Sequence, residues 1–107
     1  MSNKDVCAPE LCATMADVRA GVDALDAQLA RLLGQRFAYM RAAARIKPER
    51  HMVRDEARKA QVIANVQAAA LAENWPSDVA AALWDVLVEA SIAYELAEFD
   101  ARHEIKA

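Results

Sequence analysis

The stretch GQRFAYMRAAARIK, residues 34–47, lies on a long helical pattern and puts cations where leucines are expected. Its inward stripe, one residue every three or four, reads Val18, Val22, Leu25, Leu29, Leu32, Arg36, Met40, Ala43, Lys47. A later stripe, Ala80, Leu83, Trp84, Leu87, Ser91, Glu95, Phe99, is interrupted by Ser91 and Glu95, one helical turn apart on one face. A buried unpaired charge is costly enough that it neutralises or finds a partner, so Arg36 and Lys47 require something anionic. Arg36 and Lys47 are eleven positions apart, about 16 Å along a helix and roughly three whole turns. Their long side chains can therefore lean toward one small ligand.

Arg58 joins this set from the next helical pattern. Arg19, 17 positions before Arg36 and roughly 25 Å away along the helix, reaches such a ligand only from a second copy paired antiparallel. Arginines meet carboxylates through two parallel hydrogen bonds, which suits a planar dianion. No nucleophile with an adjacent base, glycine-rich phosphate loop or metal-ligand set accompanies them, so the set is equipped to bind and orient, without metal or cofactor. Plainer readings compete: an arginine in a stripe snorkels or forms a surface ion pair, Glu95 bridges Lys47 structurally, and Ser91 is a small residue at a helix contact. Four interruptions on compatible faces of two helices favour the site.

Three helices must position these groups. The first opens at Thr14, where Thr-Met-Ala-Asp resembles a capping box, and ends at Lys47 because Pro48 disfavours helical geometry in the residue before it. Such a helix has about 33 residues and is roughly 50 Å long, more than a compact monomer of this size can cover, and pairing with a second copy is the expected remedy. A second helix runs from Arg54 to Glu73 with Val62, Ile63, Val66, Ala69 and Ala70 inward, and NWP stops it. The third starts at Ser77 and Asp78 as cap and first-turn acid and runs to about residue 103. Residues 1–13 read as an N-terminal extension and 14–107 as the helical domain.

The composition agrees with an all-α fold: 56% hydrophobic residues but 6% aromatic, two Gly and three Pro, with no alternating run of strand length. No apolar stretch approaches the roughly 18 residues of a membrane span, and the N-terminus lacks a signal-peptide layout, so the cytoplasm is the expected compartment. Cys7 and Cys12 are then expected as free thiols. Net charge is −3, unevenly spread: residues 41–59 hold seven Lys/Arg against three Asp/Glu, leaving −7 on the remainder. Nucleic-acid binding would need a broad basic face or a motif, and neither is visible.

ADVRAGVDALDAQLARLLGQR, AAARIK and VRDEAR, at this spacing, resemble the all-helical chorismate mutase family, including its relatives the isochorismate pyruvate lyases of salicylate synthesis. The resemblance runs from about Cys12 to Phe99 and implies an intertwined helical homodimer that rearranges chorismate to prephenate, a step of aromatic amino acid biosynthesis. It implies that Arg36 and the second subunit's Arg19 bind the substrate carboxylates, and that Lys47 hydrogen-bonds the ether oxygen. Asp55 and Arg58 would line the pocket, and Ser91 would be a polar contact. Glu95 stands where many members carry Gln, and Lys59 where some carry a Glu that contacts the substrate hydroxyl. PELCATMADVR and the loop before Arg58 look closer to the lyases, which would give salicylate and pyruvate from isochorismate. A non-catalytic helical dimer is a third reading.

Overall fold

The computed structural model describes residues 6–106, with side chains through His103. A 3₁₀ turn at Pro9–Leu11 is followed by α1 (Met15–Ile46), a 3₁₀ turn at Arg50–Met52, α2 (Glu56–Ala72) and α3 (Ser77–Lys106). No strand occurs among the described residues. The chain divides into two compact units, Met1–Ala38 and Tyr39–Ala107, with the boundary inside α1.

In the first unit the start of α1 is a reciprocal cap. The Asp17 N–H donates to Thr14 Oγ1 at 3.1 Å, while Asp17 Oδ2 accepts from the backbone N–H groups of Ala13 and Thr14 at 3.0 and 3.2 Å. Asp does here what Glu does in a capping box, and those N–H donors, Ala13 first, hold its carboxyl below the usual carboxylate range. Thr14 is therefore the cap, and the helix begins one residue later than expected. The stripe Val18, Val22, Leu25, Leu29, Leu32 alternates four- and three-residue steps and is 39–58% exposed. A groove of about 460 Å³ lies between its first turns and the segment Val6–Cys12, where Cys7 and Cys12 are free thiols.

In the second unit α1 ends at Ile46, one residue before the expected Lys47, whose N–H still closes onto Ala43 O at 2.9 Å. α2 starts at Glu56, two residues after the expected Arg54, because Asp55 caps it: Asp55 Oδ1 accepts the Arg58 N–H at 3.0 Å. Its other end turns through Asn74 at φ 65°, with the Trp75 N–H on Ala70 O at 3.0 Å and the Asn74 N–H on Leu71 O at 3.3 Å. This is a Schellman closure with Asn in the left-handed position, and α3 begins directly after Pro76.

The core of this unit is Val53, Val88 and Ile92, flanked by Val62, Trp84 and Leu96. Leu83, expected inward, is 54% exposed. Burial on α3 follows Ala80, Val88, Ile92 and Phe99, with half-buried Trp84 between the first two, so the buried line advances mainly in steps of four. Val53 comes from the loop and belongs to no periodic pattern. Truncating it to Ala should cost about 2 kcal/mol, the sum of lost apolar burial and the cavity left behind. A shift in urea midpoint without a change in slope would check this.

Candidate functional site

Segment 47–55 crosses from the end of α1 to the cap of α2, and its basic residues meet acids on α3. Lys47 Nζ donates to Glu95 Oε2 at 2.8 Å, with the Glu95 side chain 5% exposed and that of Lys47 31%. Arg50 forms a fork on Asp100, Nε to Oδ1 at 2.9 Å and Nη2 to Oδ2 at 3.2 Å. Arg54 forms a second fork on Glu89, Nη2 to Oε1 at 2.7 Å and Nη1 to Oε2 at 3.0 Å, and Nη1 also reaches Glu56 at 2.8 Å. Lys59 completes the network, its ammonium 2.8 Å from Glu89 and 2.9 Å from Asp85. Hydrogen bonds from Arg54 first, then Lys59, pull the Glu89 carboxyl down to about 2. A carboxyl lowered on folding adds stability that is present above its unfolded value and lost as pH falls through its folded one. The Glu89 contacts should therefore persist until about pH 2.

An open groove of about 620 Å³ runs along this segment, lined by Lys47, His51, Arg54, Asp55 and Glu56 with Ile46, Pro48 and Met52. Lys47 and Asp55, both singled out from sequence, share it. Glu95 and Ser91 are buried on α3 at 4% and 3% exposure, and the Ser91 hydroxyl donates to Leu87 O at 2.7 Å. Arg58 is exposed and donates through Nη1 to Gln61 at 2.7 Å. Arg19 and Arg36 belong to the first unit, the one exposed and the other half-buried.

The anion that Lys47 required is thus present in the chain itself, as Glu95. Arg50 and Arg54 escaped the sequence reading, although the excess of positive charge in residues 41–59 pointed at them.

A family model, chorismate mutase type II, matches residues 18–96. The chain belongs to the chorismate mutase type II family. No curated protein matches it. The matched span of this chorismate mutase family member holds Arg19, Arg36, Lys47, Asp55, Arg58, Ser91 and Glu95, while Asp100, which holds Arg50, lies beyond it. Among the described residues no group of His, Cys, Asp and Glu could hold a metal ion, and no helix is long and apolar enough to cross a membrane.

The Lys47–Glu95 pair makes a stability prediction independent of activity. Lys47→Met leaves a carboxylate almost fully buried without its partner, which should cost about 3–5 kcal/mol. Adding Glu95→Leu should recover most of that, because replacing both members of a buried pair by apolar groups is often neutral. Urea unfolding of the two variants checks both signs.

Proposed function

We propose that the protein is a chorismate mutase, an isomerase that rearranges chorismate to prephenate in a cationic pocket shared between two subunits. The observation that carries the reading is family membership over residues 18–96, together with Lys47 beside an open groove. The rearrangement is pericyclic and needs no enzyme-bound intermediate, so the protein's work is to hold the extended dianion folded and to place donors at the ether oxygen that gains charge as the C–O bond breaks. Arg36 and the Arg19 of a second copy serve the first need by gripping carboxylates. Lys47 serves the second. Asp55, Arg58 and Ser91 complete the binding set in this reading.

The exposed α1 stripe Val18–Leu32 supports pairing with a second copy, since five aliphatic side chains at three- and four-residue steps form an apolar seam suited to another helix. Arg19 stands next to that seam. Mixing inactive Arg19→Ala and Arg36→Ala subunits should restore activity, because one of the two sites in a mixed dimer then keeps both arginines. Well-mixed heterodimers with no recovered activity would count against shared sites.

Separate incubation with chorismate and isochorismate, with identification of prephenate, salicylate and pyruvate, tests the main reading. Prephenate is the expected product; salicylate with pyruvate from isochorismate would make the protein a lyase. Lys47→Ala should lower turnover about 10²–10³-fold, the typical cost of one such donor. Glu95, in the place of a Gln that donates to the ether oxygen, can donate only when protonated. Glu95→Gln, which donates without needing that proton, should therefore be at least as active. A Glu95→Gln variant with much lower turnover would show that Glu95 does not donate to the reacting oxygen.

A further inference from the structure

We propose that the two arginine forks on segment 47–55, Arg50 with Asp100 and Arg54 with Glu89, hold Lys47 and the start of α2 in register, which makes Asp100 and Glu89 positioning residues of the site. The inference rests on the proposed reading for its catalytic consequence and on geometry for the rest.

Segment 47–55 has little internal structure to fix it. Between its two ends its backbone bonds are those of one 3₁₀ turn, Met52 N–H to Glu49 O and Val53 N–H to Arg50 O, both 3.1 Å. Val53 is its one buried residue. Yet its two ends carry Lys47, paired with Glu95, and Asp55, which caps α2 and so sets the first turn bearing Arg58.

Along α3, Glu89 and Asp100 are eleven residues apart, about 16 Å, and Glu95 lies between them. The segment is therefore tied to α3 at three separated points. A single tie would leave it able to pivot, whereas three fix its path.

The chemistry of the ties matches this role. A guanidinium fork on a carboxylate specifies direction as well as distance, and a lysine could not reproduce it. Both forks are largely exposed, with side chains 40–59% accessible. Exposed ion pairs contribute little to global stability, so what these contribute is orientation. The Arg54 fork is further braced, because Lys59 holds the same Glu89 and reaches Asp85 as well. Displacing a catalytic group by about 1 Å can cost on the order of 10²-fold in rate.

The test uses the full chain with the isosteric changes Glu89→Gln and Asp100→Asn, singly and together. Amide hydrogen exchange at Met52 and Val53 is read without substrate, and turnover and KM are read with chorismate. The double variant should exchange at those two amides about tenfold faster or more, as a locally released segment does. Its turnover should fall about tenfold or more, with a smaller change in KM and in melting temperature. The reversed pair Arg50→Asp with Asp100→Arg should regain slow exchange and turnover relative to Asp100→Arg alone.

Unchanged exchange and turnover in the double variant would overturn the proposal. So would a loss of protection spread equally over α2 and α3, which would make the forks general stabilisers. If the unmodified protein converts neither chorismate nor isochorismate, the functional reading fails, while the exchange measurement still decides whether the forks fix the segment.

Discussion

The course of the chain between α1 and α2 is marked by a meeting of charges: cations on the end of α1, the following segment and the start of α2 face acids on one helix, α3. Lys47 meets Glu95, Arg50 meets Asp100, Arg54 meets Glu89, and Lys59 meets both Glu89 and Asp85. Arg41 adds a hydrogen bond to the Tyr94 hydroxyl at 2.9 Å. The lopsided charge of the sequence, positive over residues 41–59 and negative elsewhere, is the imprint of this arrangement. Four of the seven cations, Lys47, Arg50, Arg54 and Lys59, meet acids of α3 within the chain.

The pairs do different physical work. Glu95 has lost nearly all its water, so its charge must be met by Lys47, and removing Lys47 alone leaves the carboxylate stranded. The forks at Asp100 and Glu89 keep much of their water and would be weak as stabilisers. They act through the fixed angles of the guanidinium group. Apolar burial supplies the cohesion between them, with Val53 inserted beside Val88 and Ile92. A segment of few backbone hydrogen bonds is thereby given one path, and the groove beside Lys47 follows that path.

What the sequence made legible was local. Thr14 with Asp17 and Pro48 bracket α1 to within a residue, since caps and prolines act on their immediate neighbours, while Ser77, expected as the cap of α3, is its first helical residue. Lys47 and Glu95 stood out because each breaks an apolar stripe, and they are found 2.8 Å apart, a contact entertained from sequence as a structural bridge. Three features were not legible, each for a physical reason. Leu83 and Val88 exchange roles because a spacing pattern does not fix which neighbouring row of a helix faces its partner. The Schellman turn carries Asn74 in place of the glycine that would have announced it. The forks join residues 35 and 50 positions apart, and nothing local in Arg50 or Arg54 distinguishes a clasp from a solvated side chain. For Arg19 and Arg36 the expectation of a site shared between subunits rests on the resemblance and on the exposed seam of α1.

The pairing of Lys47 with Glu95 bears directly on how a dianion would be received. An ammonium carries three N–H donors, and the contact to Glu95 Oε2 uses one of them. Holding one donor on a buried carboxylate fixes the nitrogen and leaves two directions for hydrogen bonds to a ligand, so pairing orients Lys47 without exhausting it. The same carboxylate, while ionised, cancels part of the positive field that an anionic substrate would feel. An ionised carboxylate also offers that substrate no hydrogen-bond donor. A glutamine would give the donor permanently, with no charge to cancel, but would hold the Lys47 ammonium less firmly, because a hydrogen bond to a neutral amide is weaker than one to a carboxylate. Glutamate at position 95 thus holds Lys47 more tightly than a glutamine would.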